Sequence, residues 1–276
     1  MPLLLGCDFS SSPSRQKTIM IATGRLVDNG VALSNLEYFT SLDAWAARMA
    51  QPGERWVGGF DMPFGLPREL VQALGWPTDW AACMDHYQRL SRADIRSTFK
   101  AFCAARPVGQ KFAHRATDGP AGSSPSMKWV NPPVAFMLHA GVPLLRQASV
   151  YLPGLMPMPA QPPERVALEA YPGLLARAVL GRRSYKSDDK ARQTPDRLDA
   201  RQALVAALEA GQYAGLRLQL SAEQRALLVS DARGDSLDAV LCLLQATWAL
   251  QQHKQGARLY GLPPGTDPLE GWIVGA

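Results

Sequence analysis

No run of about 18 apolar residues occurs in this chain of 276 residues, so no membrane-crossing helix is expected. Nor does a basic stretch precede an apolar one at the N-terminus, so no signal peptide is expected. Cysteine is scarce. The four, Cys7, Cys83, Cys103 and Cys242, match neither a zinc pattern nor a small disulfide framework. Reduced thiols in apolar surroundings fit a cytoplasmic protein. Internal repeats and low-complexity tracts are absent. The excess of positive charge is small, +5 with a pI near 9.1. That excess suits nucleic acid or an anionic metabolite, and it equally suits a weakly basic surface. What remains is an ordinary globular composition, 47% hydrophobic and 19% charged, long enough to bury a sizeable core.

Against that background, acids at the ends of apolar segments stand out. Leu3-Leu-Leu-Gly-Cys-Asp8 runs into a serine cluster, Trp56-Val-Gly-Gly-Phe-Asp61 has the same grammar, and Val166-Ala-Leu-Glu169 repeats it. Asp235 and Asp238 open a long apolar helix, three residues apart. An acid at the end of a buried strand is costly unless it is paired, hydrogen-bonded or bound to a cation.

Strands are expected over residues 3–9, 16–24, 31–39, 55–61 and 165–169. Asp28-Asn29-Gly30 reads as a hairpin turn, so the chain opens as an antiparallel meander. A short helix at 41–49, with Ser41 as N-cap, leads into the fourth strand, which implies a parallel pairing. Helical patterns follow at 68–74, 78–90 and 92–105, then a loop-rich stretch at 106–133. A short helix at 132–141 and a strand at 144–152 come next. Further helices are expected at 173–180, 188–212, 221–229 and 235–253, and the C-terminal tail reads as an edge strand or a docked arm. The expected architecture is one α/β domain over residues 1–276 with a largely helical insertion at about 62–160.

Asp8, Asp61 and Glu169 then sit at strand carboxyl ends, the edge where α/β proteins place their sites. Clustered carboxylates need a cation, and Mg²⁺ or Mn²⁺ suits hard oxygen ligands. Two such ions about 4 Å apart would activate water and stabilise a leaving oxygen in phosphodiester hydrolysis. Each acid also has a plainer reading: a turn former at Asp8 and Asp61, an ion pair with Arg165 or Arg183 for Glu169, an N-cap at Asp235, a helix-dipole charge at Asp238.

Five motifs together resemble one known family. They are Gly6-Cys-Asp8-Phe-Ser-Ser, Gly59-Phe-Asp61-Met-Pro-Phe-Gly65-Leu-Pro67, Glu169-Ala-Tyr-Pro172, Arg233-Gly-Asp235-Ser-Leu-Asp238-Ala and Glu270-Gly-Trp-Ile273. The set is similar to domain-of-unknown-function family 429, a predicted nuclease group with a ribonuclease H-like fold. The resemblance implies a five-stranded mixed sheet, its first three strands antiparallel, flanked by helices. It also implies metal ligands on the first strand, the fourth strand and the last helix. By position these are Asp8, Asp61 and Asp235 or Asp238, with Glu169 as an additional acid.

The function expected is therefore a divalent-metal-dependent nuclease acting on DNA or RNA, with Asp8, Asp61 and Asp238 as main ligands and Asp235 and Glu169 in support. Ser10, Ser11, His114, Arg115, Lys128, Arg183 and Lys186 are candidates for holding phosphate, and Trp76, Trp80, Trp129 and Tyr171 for stacking on bases. Two other classes remain open. An ATP-dependent phosphotransferase of the actin and sugar-kinase group also starts with a strand, an acid and a hydroxyl-rich hairpin, although no second Asp-Gly-rich hairpin is present. A non-catalytic binding module would keep the acids for structure alone.

Overall fold

A computed structural model describes residues 1–276. The sheet begins with β1 (Leu3–Asp8), β2 (Ile19–Val27) and β3 (Gly30–Phe39). Helix α1 (Leu42–Met49) leads to β4 (Trp56–Asp61), and β5 (Arg165–Glu169) follows much later. A short β6 (Arg217–Gln219) completes six strands in the order β5-β4-β1-β2-β3-β6. Pairing is antiparallel for β1 with β2 and β2 with β3, and parallel for β1 with β4, β4 with β5 and β3 with β6. The sheet thus has one strand more than the five expected. With only three residues, β6 is too short to show alternation.

Between β4 and β5 lie α2 (Arg68–Ala73), α3 (Trp80–Gln88), α4 (Arg92–Ala104), α5 (Asp118–Ala121) and α6 (Val134–Gln147). After β5 come α7 (Pro172–Leu180), α8 (Pro195–Glu209), α9 (Ala222–Ser230) and α10 (Asp235–Lys254). Successive strand residues face opposite sides of the sheet, and β1 supplies both layers. Leu5 and Cys7 join Trp45, Phe60 and Phe99 on the side of α1–α4 and α6. Leu4 joins Val57, Leu168 and Leu241 on the side of α7–α10.

Two local expectations need correction, and a third, the hairpin turn, is borne out with narrower bounds. The strand expected at 144–152 does not form: α6 continues through Pro143 to Gln147, and beyond it only Tyr151 pairs, as a single parallel bridge to Val166. Gly141 looks like a stop signal, but its bare Cα lets Met62 pack against the helix, with Sδ 2.2 Å from where a Cβ would lie. The helix expected from 188 starts only at Pro195, after a single 3₁₀ turn. The β2–β3 turn is Asp28-Asn29, and Gly30 already pairs with Val27. At Gly30 a Cβ would meet the Arg217 carbonyl at 1.9 Å, so the glycine makes room for β6. The C-terminal tail is a docked arm: Val274 N–H donates to the Glu169 carbonyl at 2.9 Å.

Candidate metal centre

Three carboxylates meet at the carboxyl end of β1 and β4. Asp8 and Asp61 are direct partners in the parallel register, so their side chains project side by side. Two residues earlier on each strand, Gly6 and Gly59 are also register partners. A Cβ on Gly6 would stand 2.0 Å from the Ala239 carbonyl oxygen and one on Gly59 2.5 Å from that of Cys242. The absence of both side chains lets the α10 backbone lie directly on the strands. Asp238, in the first turn of α10 and fully buried, is thereby delivered between the two strand acids. One carboxylate oxygen from each of Asp8, Asp61 and Asp238 lies within 4.8 Å of the others.

The start of α10 is fixed by its neighbours. Asp231 accepts hydrogen bonds from the Gly234 and Ser236 amides, at 3.2 and 2.9 Å. Gly234 has φ +78°, and a Cβ there would sit 2.8 Å from Lys186 Cβ. The Tyr185-Lys186 segment is thus laid over the helix N-terminus. Tyr185 Oη and Lys186 Nζ both donate to the Asp238 carboxylate.

Electrostatics follow from burial and crowding. Burial, then the charge of Asp238, push Asp8 well above the usual carboxylate range. The same two causes, in that order, push Asp61 from 3.8 to about 7. Asp238 is raised by burial although Lys186 and Tyr185 pull it back. Lys186 is held above its ordinary value: burial opposes its charge, and Asp238, Asp8 and Asp61 outweigh it. Asp235, nearby but outside the triad, rises to about 6, chiefly through burial.

The triad acids therefore bind protons more tightly folded than unfolded. Their contribution is greatest below the unfolded carboxyl range near pH 4 and is lost as the pH rises through their folded values. For Asp61, moving from 3.8 to about 7 corresponds to about 4 kcal/mol. In chelator, wild type should lose stability relative to Asp61→Asn by up to about that amount between about pH 4 and pH 8. Denaturant melts of both proteins across that range check this. A constant difference would show that Asp61 is not buried among uncompensated charges.

Glu169 does not join the triad. It pairs with Phe60 on β4, which puts it one residue out of phase with Asp61 and on the other face of the sheet. There it accepts from Arg115 through both oxygens, at 2.7 and 2.6 Å, and from the Phe64 amide at 3.0 Å. Its partner is Arg115, not Arg165 or Arg183. Arg115 is itself buried and donates also to Asp118 and the Glu270 carbonyl, so it is a structural cation and not a free phosphate grip. Glu270 completes this frame by accepting from the Arg68 and Ala116 amides, each at 2.8 Å.

The remaining expected residues are dispersed. Ser10 and Ser11 are buried just beyond Asp8, and Arg92 binds the Ser11 carbonyl and Ser12. His114 is exposed, Lys128 is half-buried and Arg183 lies in a groove against α8. Three tryptophans expected to stack on bases serve packing. Trp76 packs on His86, Tyr87 and Phe99, Trp80 donates to the Phe64 carbonyl at 2.8 Å, and Trp129 pairs with Phe112. Tyr171 instead lines a cavity of about 220 Å³ that reaches Asp61 and Lys186. Sequence reasoning missed the brace on Asp238 from Tyr185. Its only signal is an aromatic residue beside a lysine in a basic run.

A family model described as a protein of unknown function (DUF429) matches residues 6–263. No curated protein and no solved structure matches the chain.

Proposed function

We infer that this chain, which belongs to the DUF429 family, is a divalent-metal-dependent phosphodiester hydrolase acting on nucleic acid. The observation that supports it is the convergence of Asp8, Asp61 and Asp238 from three separate elements onto one point, with Asp238 fully buried and Asp8 and Asp61 partly so. Only one cation, Lys186, is there to offset them. With all three ionised, the cluster carries two uncompensated charges, which is what Mg²⁺ or Mn²⁺ would neutralise. Oxygen-only donors fit those ions. A bound ion would supply Lewis acidity and lower the pKa of a water molecule. The placement of the acids on β1, β4 and the last helix favours a ribonuclease H-like nuclease within this class. Reduced cysteines, all four of them free, agree with a cytoplasmic setting.

The chain's own groups have separable tasks. Asp8 and Asp61 offer adjacent oxygens from a rigid strand pair, and Tyr185 fixes the rotamer of Asp238. Lys186 holds the cluster together while no other cation is there. Once its charge is no longer needed at Asp238, its ammonium is placed to meet a phosphate oxygen, because it lies between the cluster and the cavity. Calorimetric titration with Mn²⁺ and Mg²⁺ tests the reading. Wild type should bind, and Asp8→Asn combined with Asp238→Asn should abolish the heat. Lys186→Met should tighten binding at least about tenfold, since a competing cation a few ångströms away has been removed. Absence of binding at millimolar metal, with an oligonucleotide present, overturns the hydrolase reading.

A further inference from the structure

The cavity beside Asp61 has a floor, walls and a mouth of different chemistry. Met62, Val134, Met137 and Ile273 form apolar walls, and Ser123 and Ser124 supply a polar edge. Asp61 and Lys186 stand at the mouth, and Arg115 with Glu169 forms the floor. The floor cannot attract an anion. Arg115 has five N–H donors, and its Nε and two terminal nitrogens make five bonds, to Asp118, Glu169 and the Glu270 carbonyl. Two carboxylates therefore surround one saturated guanidinium. Lys186 is engaged by Asp238. While Lys186 stays with Asp238 a phosphate finds no free cation inside the cavity, so the group it encloses is neutral and a phosphate belongs beside Lys186 and the triad.

Size and wall chemistry narrow that group. A volume of about 220 Å³ is below the range of about 300–1,000 Å³ typical of sites for drug-sized molecules. That is the scale of a single ring system. Two thioethers and a valine suit the faces of a flat ring, since methionine sulfur makes favourable contacts with aromatic systems. The Ser124 hydroxyl can donate to or accept from the edge of such a ring, and Ser123, whose O–H is given to Asp118, can accept.

We propose that this cavity receives a single unpaired nucleobase, with the phosphate next to it placed at the Asp8–Asp61–Asp238 triad. The assignment rests on the hydrolase reading for its choice of substrate. It deepens that reading by specifying a strand with at least one unstacked nucleotide at the scissile bond: a single strand, a frayed end or an extruded base.

The test separates the two readings by leaving metal out. In chelator, saturation-transfer NMR with the neutral nucleosides adenosine, guanosine, cytidine, uridine and thymidine should show binding of at least one through its base protons. Ribose 5-phosphate and inorganic phosphate should not bind. Met137→Trp, which fills the cavity, should weaken nucleoside binding at least tenfold with an unchanged thermal melt. Val134→Phe serves the same purpose should the tryptophan disturb folding. Ser124→Ala should change the order of preference among the bases. No nucleoside binding to wild type, undiminished binding in a folded cavity-filled variant, or binding of ribose 5-phosphate in place of nucleosides would each overturn the proposal. Nucleoside binding in a protein that never cleaves phosphodiesters would leave the cavity assignment standing and remove the hydrolase reading. Metal-dependent cleavage without nucleoside binding would do the reverse.

Discussion

Asp238→Asn is expected to lower Mn²⁺-dependent cleavage of a labelled single-stranded oligonucleotide by about 10³-fold, the scale on which loss of a charged group at a reacting centre is felt. The substitution keeps the size of the side chain, and its amide oxygen can still accept from Tyr185. It removes one of three crowded charges, so the fold should survive. In chelator at pH 8 the variant should be at least as stable as wild type, because burial and neighbouring acids already disfavour the ionised form. Lower activity with retained or higher stability is the signature of a ligand kept for function at a structural cost. Stop-flow or gel assays of cleavage, together with denaturant melts, measure both halves. Cleavage within threefold of wild type would mean that Asp238 holds no reacting group. A severe loss of stability would mean that its ion pair with Lys186 is a structural one.

The second large effect is expected at residues with no side chain at all. Gly6→Ala places a methyl group 2.0 Å from one backbone atom of α10 and 2.1 Å from another. Neither can rotate away, unlike the end of a flexible side chain. Overpacking of well-packed cores typically costs about 1–3 kcal/mol, and here the helix backbone itself must shift, so a loss of about 3 kcal/mol or more is expected. Since α10 carries Asp238, metal affinity should fall as well, even though no ligand has changed. Gly119→Ala is the matched control, with nothing within 4 Å of its added methyl. Urea denaturation and metal titration of the two variants decide the matter. A Gly6→Ala protein with wild-type stability and metal binding would mean that the helix does not rest on β1 as described.

Much of the scaffold was legible because it rests on short-range patterns. Strands of five to ten residues built on apolar runs, and helices with capping boxes at Ser91 and Ser221, declare themselves locally. So did the acids of the triad, since Asp8 and Asp61 each end an apolar run and Asp238 opens one. Glu169 was grouped with them on the same grounds. The phase of its strand could have separated it, because Glu169 lies opposite Phe60 and not opposite Asp61. Arg115 could not have been placed, since beyond the local Asp118 its partners come from residues 169 and 270, and long-range contacts leave no periodicity. The glycine pair was visible but unread. In Gly6-Cys-Asp8 and Gly59-Phe-Asp61 the glycine precedes the acid by two, so it faces the same side and clears the helix that brings the third acid.

That arrangement also sets an order of events for a chain made from its N-terminus. β1 and β4 can pair early, yet the strip over Gly6 and Gly59 stays bare until residues beyond 238 have been synthesised. Contacts of such sequence separation form late and slowly. Until then Asp8 and Asp61 lack their third partner, and the arm at residues 270–274 that frames the cavity does not yet exist. A copy synthesised only as far as β5 therefore has two of the acids, and the third joins them only once α10 has been made.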